Sequence, residues 1–169
     1  MASDKNFFQN NFFKLERYRV SADKISADAP ETNEAVIKIV VPARNAEGRS
    51  EKKFLAEYQP ENRKYVALTA TSSGDGTVDA LDRALRKLLE PIYPFLKTVR
   101  LIRYEVKSTQ SKAGTSSQVE VFILAANKEG QLYFSEVSSF SVIEASFSAL
   151  ANIYNRFFMD YHLRQADGE

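Results

Sequence analysis

The sequence predicts an α+β fold of two pseudo-symmetric strand-strand-strand-helix (βββα) units, antiparallel sheets with helices packed on one side. Three duplications within the 169 residues predict it. The segment Gly74-Asp75-Gly76-Thr77-Val78-Asp79-Ala80-Leu81 opens a helical pattern, and Phe140-Ser141-Val142-Ile143-Glu144-Ala145-Ser146-Phe147 opens another. Val78-Asp79-Ala80 aligns with Ile143-Glu144-Ala145, which places an acid in each first turn, where the positive end of the helix dipole favours it. The pattern Arg17-Tyr18-x-Val20 recurs as Arg103-Tyr104-x-Val106, and Asn45-Ala46-Glu47-Gly48 recurs as Asn127-Lys128-Glu129-Gly130. Two copies are too few for a solenoid, so the units are expected to face each other across a pseudo-twofold axis.

The elements follow in order. Residues 1–11, polar apart from Phe7 and Phe8, read as a short helix or a frayed arm. Residues 13–20 alternate, with Phe13, Leu15, Arg17 and Arg19 against Lys14, Glu16, Tyr18 and Val20, as a strand does. A loop with Pro30 spans 21–32, and 35–41 is a strand with Ala35, Ile37, Ile39 and Val41 on one face and Lys38 on the other. The Asn-x-Glu-Gly turn at 45–48 needs its glycine for positive φ. Residues 52–58 read as a further strand-like stretch closed by a turn at 59–62, and 65–71 is the strand feeding the Gly-Asp-Gly turn.

The first helix is expected to bury Val78, Leu81, Leu85, Leu88, Leu89 and Ile92, spaced by three and four, with Asp82, Arg83, Arg86 and Lys87 on its wet face. Pro91 and Pro94 end it by removing backbone donors. The second unit repeats the order: a strand at 98–107, a Ser/Thr/Gly loop at 108–117, then strands at 119–125 and 132–138 around the second Asn-x-Glu-Gly turn. Ser141 and Glu144 are spaced as a capping box. The last helix is expected to bury Ile143, Phe147, Leu150, Tyr154, Phe157, Phe158 and Tyr161. The layout is an arm (1–11), one domain of two repeats (12–95 and 96–163) and a frayed tail (164–169).

Charge and motifs narrow the function. Lys+Arg 23 against Asp+Glu 22 leaves a net +1, so nothing marks a nucleic-acid or anionic-membrane partner. No apolar run reaches the roughly 20 residues of a transmembrane helix, and the N-terminus lacks the apolar core of a signal peptide. There is no cysteine, so no disulfide framework or thiol chemistry is expected; a cytoplasmic location fits. His162 is the single histidine and sits near the end of the last helix, where a surface role suffices. No zinc spacing, Walker loop, nucleophile elbow or full dinucleotide fingerprint occurs. The expectation is a protein with no catalytic residues, metal or cofactor.

The glycine turn is the leading site. Gly74 and Gly76 would let backbone N–H groups at a helix N-terminus approach a carboxylate or phosphate. They equally suit a bare chain reversal into the helix. Ser138, Ser139 and Ser141 fit capping as well as binding, and Tyr104 fits an ordinary strand position.

Taken in order, Ser73-Gly74-Asp75-Gly76-Thr77-Val78-Asp79-Ala80-Leu81, Leu101-Ile102-Arg103-Tyr104-Glu105-Val106, Gly114-Thr115 and Val142-Ile143-Glu144-Ala145-Ser146 resemble a known family. It is the C-terminal regulatory (allosteric, dimerisation) domain of 2-isopropylmalate synthase and of citramalate synthase. The resemblance spans roughly residues 12 to 160 and is strongest from 72 onward. It implies a dimerising pair of βββα units that does no chemistry. Such a domain binds a branched-chain amino acid, leucine or isoleucine respectively, between its units near the dimer interface. Binding gives feedback inhibition of a metal-dependent synthase domain, in cis or in trans.

Carried over residue by residue, the resemblance assigns Gly74, Asp75, Gly76, Val78 and Asp79 to one wall of the pocket. Leu101 and Tyr104 would flank the ligand, Ser116, Ser117 and Val119 would follow the flexible loop, and Ser139, Ser141 and Ile143 would form the second turn. Helix N-termini and serines would hold the carboxylate, Asp75 or Asp79 the ammonium, and Val78, Leu101, Val119 and Ile143 the aliphatic side chain. Arg103 replaces a usual acid, and Ser116-Ser117 a common Asp-Ala. A ligand-free dimerisation module of the same fold is the alternative.

Overall fold

A computed structural model of the chain describes residues 12–42, 57–58, 65–109 and 117–166. The expected arm at 1–11, the turns at 45–48 and 59–62, most of the stretch at 52–58, and loop residues 110–116 lie outside these. The chain divides into two compact units, Met1–Pro94 and Phe95–Glu169.

In the first unit, β1 (Lys14–Asp23) pairs antiparallel with β2 (Thr32–Pro42), and β2 pairs antiparallel with β4 (Tyr65–Gly74). The two-residue β3 (Glu57–Tyr58) flanks β4, so the sheet order is β1-β2-β4-β3. Helix α1 (Thr77–Leu89) lies across β4 and β2. Strict alternation along β2 builds the base of the core: Asn33, Ala35, Ile37, Ile39 and Val41 are all buried. Onto them α1 packs Ala80, Leu81, Ala84, Leu85, Leu88 and Leu89, all fully buried. Each leucine contributes about 1.5–3 kcal/mol by leaving water.

The wet face is narrower than the spacing predicts. Asp82 and Arg86 are mostly covered, with side chains 13% and 18% exposed, and they pair at 3.0 Å. An (i, i+4) pair neutralises both charges, which lets the helix sink further than a heptad count suggests. Val78, expected in the core, is only half-buried.

In the second unit, β5 (Arg100–Ser108), β6 (Val119–Ala126) and β7 (Leu132–Ser139) form an antiparallel meander. Helix α2 (Val142–Ala166) crosses β6 and β7. It buries Phe147, Leu150, Ile153, Tyr154, Phe157 and Phe158, together with Ala145, Ser146 and Ala149; Ile143 is half-buried. A 3-10 turn (Pro94–Thr98) brings Phe95 flat against Tyr161, with ring centroids 3.8 Å apart. The βββα plan is therefore duplicated, with β3 an addition to the first unit.

Both first strands carry a bulge at the same place. Register shifts between Leu15 and Arg17, and again between Leu101 and Arg103. Uninterrupted alternation would have put Leu15 on one face with Arg17 and Arg19. The extra residue, Glu16 or Ile102, instead rotates the strand so that Tyr18 pairs with buried Ile37 and Tyr104 with buried Ile123. The arginine beside each tyrosine is thereby turned to the outer face. The shared Leu-x-Arg-Tyr-x-Val spelling is thus the signature of a duplicated bulge.

The β6–β7 hairpin follows its turn chemistry. Gly130 has φ 81°, and the Asn127 side chain accepts hydrogen bonds from the backbone N–H of Glu129 (2.9 Å) and Gln131 (3.0 Å). Only a residue tolerant of the left-handed region closes such a loop without strain.

Candidate functional site: two strand-to-helix turns

Each unit ends its last strand and enters its helix through a turn of common design. In the first unit, β4 stops at Gly74, Asp75 swings into solvent, and Gly76 precedes the first helical residue. The Ala80 N–H donates to the Gly76 carbonyl at 2.9 Å. In the second unit, Ser139, Phe140 and Ser141 hold the same places, and the Ala145 N–H donates to the Ser141 carbonyl at 3.0 Å. The third helical residue is acidic in both, Asp79 and Glu144, and both reach back over the turn.

The two turns differ in what satisfies the helix N-terminus. In the second, the Glu144 N–H donates to Ser141 Oγ (3.3 Å), the Ser141 N–H donates to Ser139 Oγ (3.1 Å), and Ser139 Oγ donates to Glu144 Oε2 (2.6 Å). The expected capping box is present with Ser139 inserted as a relay. In the first turn, Gly76 has no side chain and no side-chain cap forms. Asp79 Oδ2 accepts the Asp75 N–H at 2.9 Å and pairs with Arg83 at 2.8 Å. Among the described residues, the opening amides of α1 therefore have no side-chain cap, which is the condition under which a helix N-terminus attracts an anion.

The glycines have separate reasons. A Cβ on Gly74 would lie 2.4 Å from the Ala80 nitrogen and 2.7 Å from Asp79 Oδ2. Gly74 is thus required by the helix folded onto it. Gly76 is extended, with φ −154° and ψ 170°, and has open space where a Cβ would be. Neither glycine uses a positive φ.

The remaining expected residues fall as follows. Asp75 is 97% exposed and 3.5 Å from Arg83. Val119 opens β6 opposite Ser139, so Val119, Ser139, Ser141 and Ile143 share one end of the second unit. Ser117 leads into β6 and is half-buried, and Ser116 lies outside the described residues. Tyr104 is tied to α2: Ser146 Oγ donates to the Val142 carbonyl (2.6 Å), so the Tyr104 hydroxyl donates to Ser146 Oγ (2.9 Å). Tyr104 nevertheless remains 42% exposed, as does Val106, because α2 crosses β6 and β7 and leaves the helix-side face of β5 open. Leu101 pairs with Ala125, six residues up β6 from Val119 and about 20 Å away along the strand. Within its own unit, Leu101 is not brought to the turn.

One residue of this region escaped the sequence reading. Asn33 pairs in register with Gly74, the position matching Val119 opposite Ser139. It is 2% exposed, and its Oδ1 is buried with no hydrogen-bond partner among the described residues. Aligning the two units would have found it, since it is the polar member of an otherwise apolar inner face.

Two groups away from the turns have shifted ionisation. The Glu120 carboxyl is raised by the hydrogen bond that its protonated form donates to its neighbour Glu136 and by the charge of that neighbour, with Lys107 opposing. The Tyr133 hydroxyl is pushed up to about 12 by burial and by the charge and hydrogen bond of Asp160. Among the described residues, no group of three His, Cys, Asp or Glu is placed to hold a metal, and no helix is long and apolar enough to cross a membrane.

Comparison with known proteins adds ancestry to this geometry. The profile of the LeuA allosteric (dimerisation) domain matches residues 1–158. An (R)-citramalate synthase of Aquifex aeolicus is 36% identical over 143 residues, 83% of this chain and 22% of the relative. That of Geobacter sulfurreducens is 32% identical over 139 residues, 82% of this chain and 22% of the relative. That of Streptomyces coelicolor is 39% identical over 87 residues, 52% of this chain and 16% of the relative. The chain spans about a fifth of the length of the first two.

Proposed function

The chain belongs to the LeuA allosteric (dimerisation) domain family, and from that premise we propose that it is an amino-acid sensor regulating a synthase. It takes a branched-chain amino acid, and occupancy signals end-product abundance to a catalytic domain, in cis or in trans. The likeness to (R)-citramalate synthases favours isoleucine over leucine. The regulatory unit itself carries out no chemistry.

The observation that supports the reading best is the uncapped N-terminus of α1 beside a turn whose acid is already engaged. It offers N–H donors to a carboxylate in a unit otherwise closed by apolar packing. The residues that the resemblance assigns to the ligand's surroundings are Gly74, Asp75, Gly76, Val78 and Asp79 in the first unit. In the second they are Leu101, Tyr104, Ser116, Ser117, Val119, Ser139, Ser141 and Ile143. The serine-relayed turn has its amides satisfied internally, and the glycine turn of the first unit is the receptive one.

Thermal melts with millimolar isoleucine, leucine, valine and alanine test this. A ligand at about 100 times its Kd stabilises the fold by roughly 2.7 kcal/mol, a rise of several degrees for a chain this size. A selective rise with isoleucine or leucine is expected. A flat response to all four overturns the sensor reading.

A dimerisation module without ligand is the second reading, and the outer face of the β5-β6-β7 sheet favours it. Phe122 and Phe134 stack there at 6.3 Å, and Leu132 and Phe134 are 59% and 56% exposed. A second copy of the chain is the occupant that the family description indicates.

A further inference from the structure

Asn33 is a carboxamide at a core position, and its neighbours say where it points. Along β2 the side chains of Asn33, Ala35, Ile37, Ile39 and Val41 share the buried face that α1 covers. Its register partner Gly74 has its absent Cβ aimed at the backbone of Ala80 and at Asp79 Oδ2, in the first turn of α1. Residues paired across antiparallel strands project to the same side. The Asn33 side chain therefore lies beneath the N-terminus of α1, with its Oδ1 buried and lacking a donor among the described residues. Buried polar atoms in folded proteins are almost always paired, and exceptions gather where a ligand or water completes the set.

The uncapped N-terminus and the orphan acceptor are independent observations at one place. The first offers N–H donors, suited to a carboxylate. The second offers an acceptor, suited to an ammonium. An α-amino acid carries both groups on one carbon. The carboxylates first suited to the ammonium are otherwise engaged: Asp79 Oδ2 holds the Asp75 N–H and Arg83, and Asp75 is 97% exposed, with its carboxylate 3.5 Å from Arg83. The matching position in the second unit is Val119, whose neighbouring turn is closed by its own serines. Donors and an acceptor are thus left over together in the first unit.

We propose that Asn33 is a ligand-recognition residue whose Oδ1 accepts a hydrogen bond from the α-ammonium of the amino acid, distinguishing it from acids that lack the amine. This rests on the sensor reading above and deepens it. A neutral acceptor pairs with an ammonium without adding charge to the core, and a deaminated ligand leaves it unsatisfied, which is the kind of penalty that gives strong discrimination.

The test is calorimetric titration and thermal melting of the full chain with isoleucine, leucine and the amine-free acid 4-methylpentanoate. The wild-type chain is expected to prefer one amino acid over the amine-free acid. Asn33→Val, which installs the residue found at position 119, should weaken amino-acid binding by about tenfold or more while changing binding of the amine-free acid less than twofold. Asn33→Asp keeps an acceptor and should keep the preference. If Asn33→Val does not fold by circular dichroism, Asn33→Ala replaces it in the same comparison. An unchanged preference in the variant overturns the role of Asn33 and leaves the sensor reading standing. A wild-type chain that responds to neither amino acid overturns both.

Discussion

Gly74 has no room for a methyl group. A Cβ there would sit 2.4 Å from the Ala80 nitrogen, and a backbone atom in a helix first turn cannot move aside as a flexible side chain could. Gly74→Ala is expected to cost about 1–3 kcal/mol, the usual range for overpacking, read as a lower denaturant midpoint. Gly76→Ala should sit within about 0.5 kcal/mol of wild type, because its backbone is extended and its surroundings are open. Equal losses at the two positions would refute this division of roles. Asn33 is the second residue whose meaning lies in its immediate neighbours. A strand asparagine ordinarily reads as a turn or edge residue, and only its register with Gly74 places it under a helix end.

At the scale of elements, the long α2 is held at both ends. Its start is capped by the Ser139-Ser141-Glu144 relay. Its end is clasped to the β6–β7 hairpin: Gln131 Nε2 donates to Asp160 Oδ2 at 2.9 Å, and Arg164 Nη1 lies 2.7 Å from Glu129 Oε2. These contacts account for helix continuing through Ala166. Tyr133 belongs to the same clasp, 5% exposed and edge-on to Phe157 at 5.5 Å. Its hydroxyl titrates near 12 in the folded chain against about 10 when unfolded, so the native state holds this proton more tightly. The resulting stability is complete below about pH 10 and is lost as pH rises through 12. Tyr133→Phe removes that dependence. Melting temperatures of the two proteins should converge between pH 10 and 12, and parallel curves would show that the hydroxyl does not contribute.

The whole molecule is two βββα units, each with its own core, and it belongs to a family described as an allosteric (dimerisation) domain. A homodimer is expected. Light scattering should return twice the chain mass, with a melting temperature that rises with protein concentration because association stabilises only the folded form. Phe134→Glu, placing a charge on the open sheet face, should shift the equilibrium toward monomer with little loss of helix by circular dichroism. A wild-type chain that stays monomeric at working concentration refutes the dimer, and an undisturbed dimer in the variant moves the interface off this face.

The kinds of element, their order and their duplication were legible in the sequence, because each depends on contacts within a few residues. Alternation marked the strand of Ala35, Ile37, Ile39 and Val41, three-four spacing marked α1, and the Asn127-to-Gly130 spelling marked a turn whose glycine does take φ 81°. Even the bulges left a trace in the repeated Arg-Tyr-x-Val, although period-two reading alone assigned Leu15 to the wrong companions. What only the tertiary structure decided depends on which strand lies beside which, and at what register. Gly74 is required by a helix turn folded back over it, Asp82 and Arg86 lose their solvent when α1 settles on its sheet, and Asn33 becomes a buried acceptor by standing opposite Gly74. Periodicity reports which way a side chain faces. Where that face finally lies, and what meets it there, is set by residues distant in the chain, and no local pattern carries that information.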